Sequence, residues 1–129
     1  MQCPEDLRYS EEHEWVRVGG GHATIGITDY AQHELGDIVF VELPAVGAAL
    51  ARAATLGVVE SVKAVSDVYA PVGGTVAAVN ERLGTNPEII NEDPYGEGWM
   101  IRVTLADPAE LDQLMTAEQY EAFVAKEKD

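Results

Sequence analysis

The sequence predicts a mainly β domain, a small barrel or sandwich with helices at its margins. The chain has 129 residues, of which 47% are hydrophobic, which is enough for one packed core. Short valine- and isoleucine-rich runs ended by turn residues recur between residues 15 and 105, whereas helical spacing is concentrated after residue 107. Many short strands with few helices are typical of barrels and sandwiches. We therefore expect one domain over residues 1–129.

The first half of the chain contains a predicted hairpin, a short helix and a strand. Residues 15–18 and 23–27 are apolar and β-branched, and the glycines at 19–21 between them form the turn. A short helix follows, with Thr28 and Asp29 at its start and Gly36 at its end. Residues 38–43 form the next strand, which Pro44 ends.

The second half contains four further predicted strands and a helical C-terminus. The strands cover residues 57–62, 65–70, 75–79 and 99–105, and a loop rich in Asn, Asp, Pro and Gly spans residues 91–98. Asp107 and Pro108 begin a helical segment that we expect over about 107–127. Thr116 repeats the capping pattern, with Gln119 at the third helical position.

Charge and targeting patterns narrow the possible partners. Twenty-three acidic against eight basic residues give a formal net charge of −15, so like-charge repulsion argues against nucleic acid or an anionic membrane as a partner. No apolar run reaches the ~18 residues of a membrane span, and residues 1–6 resemble neither a secretory nor a transit peptide. Cys3 is the only cysteine, which excludes an intramolecular disulfide. We expect a cytoplasmic protein.

Residue patterns for direct catalysis are missing from the sequence. His13, His22 and His33 lack the spacing of a zinc site, and Cys3 lies in the N-terminal segment without a partner histidine motif. A Gly-x-Ser-x-Gly nucleophile motif is also missing. We therefore predict no catalytic residue and no metal site.

Lys63 is far from the other lysines in the sequence. The other two lysines, Lys126 and Lys128, lie in the last four residues, so Lys63 is the only lysine in the body of the chain. It falls between two predicted strands, where a tight turn exposes its ammonium group. The nearby acids Glu60 and Asp67 favour the charged amine and so disfavour Schiff-base chemistry. This position indicates covalent modification by an enzyme that binds the folded hairpin.

The segment around Lys63 resembles the lipoyl-lysine hairpin of the H-protein family of the glycine cleavage system. It is GVVESVKAVSDVYAPVGG, at residues 57–74. Four further blocks resemble that family in the same order: HEWV at 13–16, GITDYAQ at 26–32, LGDIVFVELP at 35–44 and NEDPYGEGWM at 91–100. The resemblance extends from Leu7 to Phe123.

The resemblance implies a non-enzymatic carrier with the lipoyl/biotinyl-type barrel-sandwich hybrid fold. Lipoate would be joined by an amide bond to Lys63, and would carry the aminomethyl group of glycine from a pyridoxal-phosphate glycine decarboxylase (P protein) to a folate-dependent aminomethyltransferase (T protein). A dihydrolipoyl dehydrogenase (L protein) would reoxidise the carrier. A lipoyl/octanoyl transferase or a lipoate ligase would attach the lipoyl group.

The family also implies a surface cleft that shelters the cationic cargo. Glu14 and Asp67 are the residues that we expect to provide acidic contacts there, with ordinary solvated carboxylates as the alternative. The sequence departs from the family at Gly73, where serine is frequent, and at residues 51–55, which lack the usual polar, glycine-containing turn. These departures affect the expected turn geometry.

Three alternatives to the lipoyl carrier remain open. A biotin carrier has the same architecture, although biotin domains usually flank the lysine with methionines and here the neighbours are Val62 and Ala64. A second alternative is an H-like protein that mainly donates lipoyl groups to other carriers. The third is a small enzyme that uses Lys63 or a histidine directly.

Overall fold

A computed structural model describes residues 2–128 of the chain as nine strands and three α-helices. The strands are β1 (Arg8–Tyr9), β2 (Glu14–Gly19), β3 (His22–Ile27), β4 (Ile38–Glu42), β5 (Ala49–Leu50), β6 (Thr55–Ser61), β7 (Val65–Tyr69), β8 (Gly74–Val79) and β9 (Ile101–Leu105). The helices are α1 (Asp29–Leu35), α2 (Ile89–Glu92) and α3 (Ala117–Lys128), and two 3₁₀ segments lie at Glu81–Gly84 and Pro108–Gln113.

The strands form two antiparallel sheets. The larger sheet has the order β1-β2-β3-β9-β8-β5, and the smaller has the order β4-β6-β7. The main core lies between the sheets, where Val16 and Ile25 of the larger sheet belong to the same buried cluster as Val59 and Val68 of the smaller one. The predicted mainly β barrel-sandwich fold with short flanking helices is confirmed.

A second, aromatic cluster attaches α3 to the N-terminal strands. Tyr9 and Tyr120 stack with ring centroids 4.7 Å apart, and both are fully buried. Trp15 joins this cluster and donates its indole N–H to the Pro94 carbonyl at 2.9 Å. Gly26 leaves room for the indole, because a Cβ at that position would lie 2.8 Å from the ring. The C-terminal helix therefore packs outside the sheets.

The predicted hairpin and short helix are confirmed. Residues of β2 pair with those of β3 in register, and the turn between them uses the positive φ of Gly20 and Gly21. In α1, the Thr28 hydroxyl accepts from the Ala31 N–H at 3.2 Å, and Gly36 ends the helix with a φ of 82°. The strands predicted at residues 38–43, 57–62, 65–70, 75–79 and 99–105 also form, each with slightly different ends.

The C-terminal segment consists of two helical pieces, as its two capping patterns predict, but the first of them, Pro108–Gln113, is a 3₁₀ segment rather than an α-helix, and α3 begins at Ala117. The interruption follows from tertiary pairing: the Met115 N–H donates to the Tyr9 carbonyl at 2.7 Å and so requires extended backbone. The expected loop at 91–98 is also partly wrong, since its first two residues complete α2.

No helix in the described part of the chain combines the length and the apolar character needed to cross a membrane.

Candidate functional site

Lys63 lies at the exposed tip of the hairpin formed by β6 and β7. Ser61, which is 7% exposed, stabilises this tip through hydrogen bonds to its backbone. Its hydroxyl oxygen accepts from the backbone N–H groups of Lys63 and Ala64, each at 3.1 Å. The Ser61 N–H in turn donates to the Ala64 carbonyl at 2.8 Å. The lysine backbone is therefore fixed although the residue is exposed.

The hairpin tip also contacts the segment that follows α1. The Val62 N–H donates to the Asp37 carbonyl at 3.0 Å. Asn91 binds the same segment through its side chain. Its side-chain N–H donates to the Gly36 carbonyl and its side-chain oxygen accepts from the Ile38 N–H, each at 2.9 Å. These contacts join the tip to α1 and α2, so that Lys63 projects from a rigid base.

Glu14 is buried, with only 2% of its surface exposed. Its carboxylate accepts from the Ser10 hydroxyl at 2.5 Å and from the Tyr69 backbone N–H at 3.1 Å. Desolvation raises the pKa of Glu14 to about 7, against the lowering effect of these two hydrogen bonds, and the nearby Glu12 raises it further. The alternative of an ordinary solvated carboxylate is therefore wrong for Glu14.

Glu14 and Asp67 line two neighbouring clefts. The cleft with Glu14 has a volume of about 420 Å³, and the cleft with Asp67 has a volume of about 390 Å³. Glu12 and Tyr69 line both of them. Asp67 is exposed on β7, two residues before Tyr69, whose N–H binds Glu14. The two carboxylates therefore lie in neighbouring clefts that share Glu12 and Tyr69 as lining residues.

Each cleft carries an excess of carboxylates. The first is lined by Glu11, Glu12 and Glu14 together with Arg52. The second is lined by Glu12, Glu34 and Asp67, together with His13. Surfaces of this charge attract cations and disfavour anions.

Sequence reasoning missed the parts played by Ser61 and Arg52. Ser61 precedes the turn, where serine often accepts hydrogen bonds from the following N–H groups, so this pattern was available in the sequence. Arg52 follows β5 and donates to the Gln113 side-chain oxygen at 2.5 Å, across the edge of the first cleft. That contact joins residues 61 positions apart, and local sequence patterns do not contain it.

The histidine and cysteine side chains do not assemble a metal centre in residues 2–128, where no group of three potential ligands is found. His13 instead contacts α3, with its Nδ1 2.8 Å from the Tyr120 hydroxyl and its Nε2 2.9 Å from Glu127 Oε2. Cys3 is half-buried, and its thiol contacts the Ala117 carbonyl at 3.6 Å.

Comparison with known proteins agrees with this arrangement. The family model described as "Glycine cleavage H-protein" matches residues 7–127. The chain belongs to this family. The match includes the Lys63 hairpin, both clefts and nearly all of α3.

Relatives and a solved structure cover nearly the whole chain. The glycine cleavage system H protein of Anoxybacillus flavithermus is 60% identical over 124 residues, which is 96% of this chain and 98% of the relative. A probable glycine cleavage system H protein of Haloarcula marismortui is 60% identical over 93% of this chain and 94% of its own length. The crystal structure of the Mycobacterium marinum H protein superposes with a TM-score of 0.87 at 37% identity, covering 95% of this chain and 98% of that one.

Proposed function

We propose that this chain is the non-enzymatic lipoyl carrier of a glycine cleavage system, with lipoate in amide linkage to Lys63. The observation that carries the proposal is an exposed lysine at the tip of a hydrogen-bonded hairpin, in a chain of the glycine cleavage H-protein family. A carrier needs a reactive arm on a rigid domain that several enzymes recognise.

The residues around Lys63 fit a covalently attached acyl chain. The lysine and both of its neighbours, Val62 and Ala64, are exposed, so an enzyme has access to the amine. Ser61 and Asp37 hold the backbone of the tip without occupying the space above it. The domain therefore supplies an anchor whose position is fixed while the attached chain moves.

Bound lipoate supplies a reducible dithiolane that accepts an aminomethyl group from glycine and later releases it. We propose three enzymes as partners in this cycle, a glycine decarboxylase, an aminomethyltransferase and a dihydrolipoyl dehydrogenase. A lipoate ligase or a lipoyl/octanoyl transferase modifies Lys63. The single cysteine, which leaves no intramolecular disulfide, fits the cytoplasmic location that we propose.

The acidic clefts are the proposed shelter for the cationic cargo. Both lie beside β7, the strand that continues from the Lys63 tip, and both carry excess negative charge. Asp67 offers an exposed carboxylate, whereas Glu14 offers a buried one that is positioned by Ser10 and Tyr69. Asp67, together with Glu14 in its ionised form, would hold the cargo electrostatically and limit its contact with water.

Intact mass after expression in a lipoylating host tests the carrier proposal. We expect a mass addition of one lipoyl group, its loss in Lys63→Arg, and its retention in the control Lys126→Arg, an exposed lysine on α3. An unmodified chain, or a biotin-sized addition, would contradict the proposal. Lys63→Arg should change the free energy of unfolding by less than about 0.5 kcal/mol, because the side chain is exposed.

A second measurement separates a working carrier from a protein that mainly donates lipoyl groups. With the decarboxylase added, the lipoylated chain should support glycine-dependent exchange of carbon dioxide. The cleft assignment predicts that Glu14→Gln and Asp67→Asn shorten the lifetime of the aminomethyl-loaded protein, followed by mass spectrometry. Unchanged lifetimes in both variants would remove the clefts from the proposal and leave the carrier role intact.

A further inference from the structure

The outer face of the smaller sheet surrounds Lys63 with exposed apolar side chains. We infer that this face is the docking surface for a lipoate ligase that presents an apolar patch bordered by basic residues. The inference rests on the proposed function and names the surface by which the unmodified chain is recognised. The patch consists of Val39, Phe40, Val62 and Val65.

The four patch residues are unusually exposed for their type. Val62 and Val65 are 68% and 67% exposed, and Val39 and Phe40 are each 50% exposed. In the described residues the other large apolar side chains of comparable exposure are Val18 and Val46, which lie elsewhere in the fold. Single exposed apolar residues are ordinary, whereas a group around one modification site indicates a protein interface.

Strand pairing places Phe40 and Val65 of the patch on one face. A register shift in β4 between Ile38 and Phe40 interrupts the alternation, so that Val39 and Phe40 are both exposed while Ile38 and Val41 are buried. Phe40 pairs with Glu60 of β6, which in turn pairs with Val65 of β7. These three side chains therefore form one row across the sheet, and the tip residue Val62 lies beyond it.

Acidic residues lie both inside and beside the apolar patch. Glu60 lies between Phe40 and Val65, and the next exposed row contains Glu42 and Asp67 on either side of Val58. Strands β4, β6 and β7 contain no lysine or arginine. An enzyme that covers the patch must therefore meet negative charge at Glu60 and beside the patch, and its own basic residues would speed encounter and orient the complex.

The short reach of the lysine side chain favours an enzyme that modifies its amine, such as the ligase, over the enzymes that act on the finished lipoyl arm. The unmodified side chain has only a four-carbon stem, so the enzyme that reacts with its amine must cover the neighbouring residues of the tip. Enzymes that act on the distal end of a long acyl arm have no such need. The patch lies where the first kind of enzyme has to make contact.

The reaction itself is an acyl transfer from lipoyl adenylate, which the ligase forms from lipoate and ATP. Lys63 Nζ forms an amide bond with the lipoyl carbonyl carbon, and the bond from that carbon to the phosphate oxygen breaks. AMP leaves with the electron pair of that bond. The ammonium group loses two protons to solvent in the overall step.

Matched double variants test the docking surface. We compare Phe40→Ser/Val65→Ser with the control Val18→Ser/Val46→Ser, whose residues are 47% and 61% exposed and lie outside the strands of the smaller sheet. Lipoylation of the apo chain by a lipoate ligase is followed by intact mass, and binding of the ligase to the apo chain is measured separately. We expect kcat/KM to fall at least about tenfold in the patch variant, mainly through KM, with a similar loss of binding. The control should remain within about twofold of the unmodified sequence.

Two further measurements separate docking from folding and from amine reactivity. Val62→Ser provides a second test in case the double variant Phe40→Ser/Val65→Ser does not fold. It alters the patch at the tip, retains the backbone hydrogen bond to Asp37, and should also raise KM. Acylation of Lys63 by N-hydroxysuccinimidyl acetate should be equal in all folded variants. Equal ligase kinetics in patch and control variants would overturn the docking inference while leaving the carrier role standing. If even the unmodified sequence gains no lipoyl mass, the proposed function fails with it.

Discussion

The side chain of Lys63 lies over Gly36, the residue that ends α1. A Cβ built on Gly36 would be 3.1 Å from Lys63 Cε and 3.8 Å from Nζ. Gly36 also has a φ of 82°, in the left-handed region that favours glycine. One glycine therefore ends the helix and leaves the space across which the lysine stem lies.

Replacing Gly36 by alanine should destabilise the chain. The left-handed backbone costs a non-glycine residue about 1–2 kcal/mol, and the new methyl group would displace the lysine stem. Urea unfolding measures the change. Gly84→Ala is the control, because that position has no close neighbour and no left-handed φ, and it should lose no stability. Equal stability of the two variants would contradict this account of Gly36.

Removing the Ser61 hydroxyl should loosen the hairpin tip. Ser61→Ala leaves the N–H groups of Lys63 and Ala64 without their acceptor, at an expected cost of about 1–2 kcal/mol. Amide hydrogen exchange at these two positions should accelerate. The control Ser66→Ala removes a longer 3.3 Å contact on the neighbouring strand and should cost less than about 0.5 kcal/mol. Unchanged exchange at the tip would show that the turn holds without Ser61.

Glu14 should make stability depend on pH. Burial raises its pKa from 4.5 to about 7, so the folded chain keeps a proton that the unfolded chain has already lost. This contribution is fully present below about pH 4.5, declines as pH rises to about 7, and is constant above that. The total loss is about 3 kcal/mol.

Glu14→Gln should abolish that decline, because glutamine stays neutral and its side chain retains one acceptor for the Tyr69 N–H and one donor for Ser10. Urea unfolding at pH 5 and pH 8 measures the effect, with the exposed Glu11→Gln as control. We expect the Glu14 variant to exceed the original sequence in stability at pH 8 and to approach it at pH 5. Parallel pH profiles for all three chains would disprove the role of Glu14.

Ala53 occupies strained backbone in the turn before β6. Its φ is 73°, and its N–H donates to the Ala70 carbonyl at 2.7 Å, so the turn cannot relax without losing that bond. Ala53→Gly should therefore stabilise the chain by about 1 kcal/mol. Ala51→Gly, at a neighbouring position without a left-handed φ, should bring no gain. Thermal unfolding of the two variants distinguishes these outcomes, and a stability loss at residue 53 would refute the strain.

Residues 51–55 lack the glycine-containing turn that is usual in the family, and Ala53 within them has the left-handed φ that favours glycine. Gly73, the other departure, packs closely, since a Cβ there would lie 3.0 Å from the Leu50 carbonyl oxygen.

Strands β1 and β5 were not predicted because two residues are too few to show an alternating pattern. Their pairing comes from neighbouring strands rather than from their own sequence.

The sequence alone determined the β-rich architecture, the hairpin that presents Lys63 and the caps of α1, because alternation, turn residues and capping residues act over a few neighbouring positions. Only the tertiary structure decided that Glu14 is buried and Asp67 exposed, and that Val39 and Phe40 both face outward beside the lysine. Glu14 receives its hydrogen bond from Tyr69, 55 positions away. Burial and electrostatic environment depend on such distant pairings, which a local pattern does not contain.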